Sequence, residues 1–305
     1  MRIGLFTVVA AAASFLCSCS LQRALSADKS AYLTADEMAE KYSAGGIVES
    51  RMYKSSVGGP SERRMIVYLP ADYYKDSSKS YPVAYVFHGA RGNESSWVKD
   101  GDMFRIVDSL LATGEMMPSI VVLPNMNQYN DDADGFQSRF KRPMESFFET
   151  DGAVETGFPR DVVAFVDSLY RTVPDKKHRA IAGLSIGGIQ SIYISAENPD
   201  MFGYVGLFSP MYKAPVKHSA YSSFYGYKSL KDKQKRQFSN PPELYFIGIG
   251  KADIFYHHIR RYRRYLEDNG YRYYYEERAG GHNWANWKVF FTDFLKKLYE
   301  RVQAG

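Results

Sequence analysis

The sequence predicts one α/β domain: a mostly parallel central sheet with helices on both faces and an antiparallel edge at its N-terminal end. Three observations carry this. Short blocks such as "YPVAYVFHG", "SIVVLPN" and "RAIAGLS" are apolar almost throughout, as strands covered on both faces must be. They alternate with stretches whose apolar residues recur at helical spacing. No internal repeat, low-complexity tract or linker divides the 305 residues, a length that one large domain can fill.

The elements follow in order. "TADEMAEKY" predicts a short helix after a polar tether. "GIVESRMYKSS" and "RRMIVYLP" read as two strands of a hairpin about the Gly-Gly-Pro turn at Gly58 to Pro60. "YPVAYVFHG" is a buried strand entered at Pro82 and left at Gly89. "DMFRIVDSLLATGEM" has helical spacing and a glycine stop, and "SIVVLPN" is the next buried strand. "DVVAFVDSLYRTV" is helical, "RAIAGLS" a strand, and "IGGIQSIYISAENPDMF" a helix. "YVGLFSP", "ELYFIGIGKAD" and "YRYYYEERAGGH" are strands, the last two flanking the helix "FYHHIRRYRRYLEDNG". "WKVFFTDFLKKLYERVQ" closes the chain as an amphipathic helix. Residues 126–157 and 211–241 are long for plain connections, and each is expected to be a functional insertion or a flexible excursion.

Composition narrows the function classes. Net charge is +5, and the densest basic run, "HHIRRYRRYLED", spreads its arginines around a helix and ends in two acids. It reads as a solvated face, so no nucleic-acid partner is expected. The opening "MRIGLFTVVAAAASFLCSC" carries one positive residue, an apolar stretch and then small residues, the pattern of an export signal. "LCSC" resembles a lipoprotein cleavage box, in which Cys19 is lipidated and becomes the first mature residue. Plain secretion with a later cut is the rival. The predicted organisation is a signal sequence over 1–19, a tether and short helix over 20–45, and one domain over 46–303. The location is then outside the cytoplasm, with a membrane contact only through the N-terminal lipid. Cys17 and Cys19 are the only cysteines, so an internal disulfide in the mature chain is excluded.

The chemistry starts at "GLSIG", Gly183 to Gly187, which fits G-x-S-x-G and lies between a predicted strand and a predicted helix. So sharp a turn leaves no room for side chains at either flank, which is why both are glycine. It raises Ser185 above the sheet edge at a helix N-terminus, where developing negative charge is favoured. A serine hydroxyl needs a base and an orienting acid. On such sheets both follow the serine in the chain, at strand ends. Of the later histidines, only His282 directly follows a strand, in "ERAGGHNW". Asp253 ends "YFIGIGKAD" and is the candidate acid; the same residue also suits the N-cap of the next helix, and the two roles are compatible. Oxyanion donors are expected from the backbone N–H groups of Ile186 and of Ala90, the latter in the "HGARG" loop. His88, which precedes Ser185, is read as a structural residue bonding backbone in that loop. Trp97, Trp284 and Trp287 are placed in loops near the site, either stacking on a substrate ring or covering the sheet end. No H-E-x-x-H, cysteine cluster or strand-borne G-x-G-x-x-G is present, so neither metal nor cofactor is expected.

Together, "YPVAYVFHGARGNESSW", "RAIAGLSIGG", "GIGKAD" and "AGGHNWANW" resemble the esterase D and feruloyl esterase group of α/β-hydrolases, of carbohydrate esterase family 1 type. The likeness runs over roughly residues 45–300, with the four motifs in the family's order. It implies the α/β-hydrolase fold, with nucleophile, acid and base on Ser185, Asp253 and His282 and oxyanion donors on Ala90 and Ile186. Ile186 stands where the family usually has methionine and Asn283 where it often has aspartate; residues 126–157 match no pattern of the family. The implied activity is that of a serine carboxylesterase acting on ester groups of plant polysaccharide, feruloyl or acetyl, or on a small ester. Within the same fold an acyltransferase or a short-chain or thioester esterase are alternatives. From another class, a non-catalytic carbohydrate-binding surface protein is a rival, against which the complete ordered triad counts.

Overall fold

The computed structural model describes residues 33–57, 61–127, 152–212 and 229–304. The segment expected to be an export signal, with Cys17 and Cys19, the Gly58–Pro60 turn and most of the two long excursions lie outside them.

Eight strands form one sheet: β1 (Ile47–Lys54), β2 (Glu62–Leu69), β3 (Val83–Phe87), β4 (Ile120–Pro124), β5 (Arg179–Leu184), β6 (Tyr204–Phe208), β7 (Leu244–Gly250) and β8 (Tyr274–Arg278). Their spatial order is β1-β2-β4-β3-β5-β6-β7-β8. β1 pairs antiparallel with β2, and β2 antiparallel with β4. Every later pairing is parallel. This is the α/β-hydrolase-type architecture expected from the sequence, with its antiparallel edge. The chain builds outward on one side of β3, then returns to lay β5 on the other. Loops leaving β3 and β5 therefore part in opposite directions and open a crevice at the C-terminal edge of the sheet.

Alternation along each strand feeds two cores. On β3, Val83, Tyr85 and Phe87 face one layer while Ala84 and Val86 face the other. The first layer is closed by α6 (Ile186–Glu197), α7 (Leu230–Ser239) and α8 (Tyr256–Asp268). The second is closed by α1 (Ala35–Lys41), α3 (Met103–Ala112) and the C-terminal α9 (Trp284–Ala304). α1 starts in a capping box between Thr34 and Glu37 and buries Met38 beside Val48. The short helix expected at the end of the tether is thus docked on the sheet. Between it and β1, the Gly45 N–H donates to Asp108 of α3 at 2.7 Å.

Two boundaries differ from the sequence reading. The helix expected from Asp161 begins at Ala153: α4 (Ala153–Phe158) passes through a π-helical turn, Pro159–Val163, into α5 (Ala164–Leu169). Proline has no N–H to give and clashes with the carbonyl four residues back, and a wide turn relieves both. α9 starts at Trp284 rather than Trp287.

Candidate active site

The polar groups of the site come from loops that leave the parallel strands at one edge. Ser185 is the residue between β5 and α6, with φ 54° and ψ −114°. A non-glycine residue there is strained, and two neighbours explain how the turn closes. A Cβ added to Gly183 would lie 2.4 Å from the Gly187 carbonyl oxygen. One added to Gly187 would lie 2.5 Å from the His88 carbonyl oxygen. The elbow therefore packs backbone on backbone, against itself and against the end of β3. Hydrogen bonds with the neighbouring strand and the loop after it hold it as well. The Ser185 N–H donates to the Phe208 carbonyl at 2.9 Å, and the Met211 N–H donates to the Ser185 carbonyl at 2.8 Å.

Asp253 follows β7 by three residues and is 5% exposed. It is not the N-cap of α8, a place taken by Phe255. Its Oδ1 accepts the Phe255 N–H at 2.8 Å, fixing the carboxylate as the chain turns into the helix. His282 follows β8. The Ala252 N–H donates to the Gly280 carbonyl at 2.9 Å, and the Asn286 amide donates to the Gly281 carbonyl at 3.0 Å. The loop carrying His282 is thereby tied to the Asp253 loop on one side and to α9 on the other.

These loops bring the three side chains into one line. His282 Nδ1 lies 3.0 Å from Asp253 Oδ2 and 3.2 Å from Oδ1, and His282 Nε2 lies 3.0 Å from Ser185 Oγ. A carboxylate only accepts, so the proton of the neutral imidazole sits on Nδ1. Nε2 is then a free lone pair facing the serine hydroxyl. The geometry is that of a hydroxyl with a base in reach and an acid behind the base.

The loop after β3 lies beside the serine: a Cβ on Gly89 would be 3.6 Å from Ser185 Cβ. His88 sets its shape. Its ring is buried, with Nδ1 2.8 Å from the Gly89 carbonyl, and it accepts the Met126 N–H at Nε2, 3.0 Å away. A carbonyl accepts, so Nδ1 carries the hydrogen here too. The Gly89 carbonyl also receives the Gly92 N–H at 3.0 Å. A trans peptide is planar, so pinning the Gly89 C=O fixes the opposite direction of the Ala90 N–H in the same plane.

The tryptophans stand on helices rather than in loops, and two of them take the second of the expected roles, covering the sheet end. Trp97 lies in a short helix, α2 (Ser96–Lys99), is 1% exposed, and donates its indole N–H to the Phe87 carbonyl at 2.9 Å. Trp287 is buried within the first turn of α9. Neither stands in an open loop: both pack at the end of the sheet, and Trp284, on α9, is the only one of the three with partial exposure. Sequence reasoning missed the Met211 N–H on the serine carbonyl, for which the sequence holds no local signal. It also missed Phe255, whose place two residues after the acid was the available clue.

The chain is similar to known esterases. The family model described as "Putative esterase" matches residues 56–298. An endo-1,4-beta-xylanase/feruloyl esterase of Xylanibacter ruminicola is 36% identical over 146 residues, which is 47% of this chain but 19% of that protein. The chain thus spans about a fifth of that relative's length. Among solved structures, a ferulic acid esterase superposes with TM-score 0.68 at 25% identity, covering 83% of this chain and 98% of its own. A ferulic acid esterase from Anaeromyces mucronatus, solved in complex with ferulic acid, superposes with TM-score 0.66 at 23% identity, covering 84% of this chain and 92% of its own. With a family match that runs from just after β1 into α9, the chain belongs to this esterase family.

Proposed function

We propose that the protein is a serine carboxylesterase acting through an acyl-enzyme. The observation that carries the reading is the unbroken hydrogen-bonded line from Asp253 through His282 to Ser185. In the first step Ser185 Oγ attacks the ester carbonyl carbon while His282 Nε2 takes its proton. The N–H groups of Ala90 and Ile186 receive the oxyanion, and Asp253 holds the imidazolium. Collapse expels the alcohol, which leaves with the proton from His282. Water then attacks the acyl-serine, again giving its proton to His282, and the acid departs as Ser185 recovers its hydrogen.

The substrate class proposed is a feruloyl or acetyl ester on plant polysaccharide. Support comes from the feruloyl esterase names of the relative and the two solved neighbours. The export pattern read in the N-terminal sequence adds to it, since such polymers lie outside the cell. Trp284, partly exposed, is the tryptophan proposed as a contact for a phenolic ring. Anchoring at Cys19 belongs to the same proposal.

Hydrolysis of methyl ferulate, acetylated xylan and p-nitrophenyl acetate, side by side in wild type and Ser185→Ala, tests it. The expected outcome is cleavage of at least one polysaccharide-type ester, with kcat lowered by about 10⁴-fold or more in the variant. Equal rates in the two proteins overturn the nucleophile. Cleavage of the activated ester alone overturns the polysaccharide assignment.

A further inference from the structure

Two side chains beside His282 take no part in the steps above, yet both stand against its ring. The Phe255 ring lies 5.1 Å from the imidazole, centroid to centroid, at 81°. The Trp287 indole lies 4.9 Å away at 86°. These are edge-to-face contacts, the arrangement aromatic quadrupoles favour.

Each ring is held from behind. Phe255 is tied by its own backbone, whose N–H donates to Asp253 Oδ1 at 2.8 Å, so acid and ring share one support. Trp287 meets Trp284 edge-to-face at 5.2 Å, and Trp284 meets Trp97 at 5.1 Å. Trp97 is fixed by its indole bond to the Phe87 carbonyl at the end of β3. A continuous line of rings thus runs from the sheet to the imidazole. The Trp287 N–H is buried with no acceptor among the described residues. Burying a donor unpaired is unfavourable, so hydrogen bonding does not explain the indole, whereas its bulk beside His282 does.

The imidazole needs such support. Its side chain is 19% exposed and hangs from a loop, and the bond to Asp253 fixes one nitrogen only. Rotation about that bond would carry Nε2 away from Ser185 Oγ, and a displacement of about 1 Å at a reacting group can lower a rate about 10²-fold.

We propose that Phe255 and Trp287 are positioning residues that hold the His282 ring on the line between Asp253 and Ser185. The proposal rests on the serine-nucleophile reading. Its test uses a fluorophosphonate probe, which reports on serine activation whatever the natural ester. Labelling rates of the full chain are compared among wild type, Phe255→Leu, Trp287→Leu and Trp287→Phe. On p-nitrophenyl acetate, kcat and KM are measured separately.

Both leucine variants are expected to label at least about tenfold more slowly, with kcat falling alike and KM within about twofold of wild type. Trp287→Phe, which keeps a ring and removes the unpaired N–H, is expected to recover labelling to within about threefold of wild type, with an unchanged or higher Tm. Wild-type labelling rates in folded Phe255→Leu and Trp287→Leu overturn the proposal. So does a raised KM at unchanged kcat, which would make these rings substrate contacts. If Trp287→Leu does not fold, Phe255→Leu and Trp287→Phe decide. A wild-type protein that never labels refutes the serine reading itself, an outcome separate from the loss of positioning.

Discussion

Gly183→Ala concentrates the reasoning in one methyl group. That carbon would stand 2.4 Å from the Gly187 carbonyl oxygen and 2.5 Å from its carbon, both backbone atoms that no rotamer change can move. Ordinary contact begins near 3.4 Å, so the elbow must open by about 1 Å. Relief by sliding the first turn of α6 is resisted, because Gly187 itself abuts the His88 carbonyl and Phe87 Cβ. Overpacking of this kind costs roughly 1–3 kcal/mol of stability. The larger effect falls on chemistry. Opening the elbow by that amount carries Ser185 Oγ from 3.0 Å to about 4 Å from His282 Nε2, beyond hydrogen-bond reach. A misplacement of this size corresponds to about a 10²-fold loss of kcat/KM, near 2.7 kcal/mol of transition-state stabilisation. The assay is hydrolysis of p-nitrophenyl acetate with Tm followed in parallel. A folded Gly183→Ala protein with wild-type kcat/KM would refute the claim that backbone contact across the elbow sets the serine.

Two further outcomes are expected. His88→Ala removes the ring that pins the Gly89 carbonyl and accepts the Met126 N–H. It should cost roughly 1–3 kcal/mol of stability. It should also lower kcat by about 10²-fold through a misdirected Ala90 N–H, and an unchanged kcat in folded protein would count against that link. Separately, burial raises the phenol pKa values of Tyr53, Tyr245 and Tyr262, which the folded chain holds neutral. Unfolded tyrosines ionise near pH 10, so this stability is whole below about pH 10 and drains as pH rises beyond it. Denaturant midpoints are expected to fall as pH rises from about 9.5 to 11. Denaturant midpoints that stay flat from about pH 9.5 to 11 would contradict it.

Much of this was readable because the reactive residues are placed by strands. Ser185 directly follows β5, and Asp253 and His282 follow β7 and β8, each strand visible as an apolar or aromatic block with glycines at its end. Parallel pairing then brings those ends to one edge without further information. What the sequence hid depends on distance or exposure. The bond between His88 and Met126 joins residues 38 apart, and no local pattern announces it. Trp97 sits among loop-forming residues, and its 1% exposure follows from packing against α9 and Phe208 of β6. The helix expected from Asp161 reaches back across Pro159 to Ala153 through a π-helical turn, which residue spacing alone does not announce.

The placement of α9 bears on when activity can arise. A Cβ on Gly248 would be 2.5 Å from Phe290, and one on Gly206 3.1 Å from Phe294, so bare backbone in β7 and β6 is the seat on which this helix lands. Its first turn supplies Trp287 to the imidazole and Asn286 to the loop before it. A growing or truncated chain that stops short of α9 can hold Ser185, Asp253 and even His282 and still lack the wall behind the base. It also leaves one apolar face of the sheet open to aggregation. On the proposed function, turnover then depends on α9 being seated, and esterase activity would report that this helix has docked.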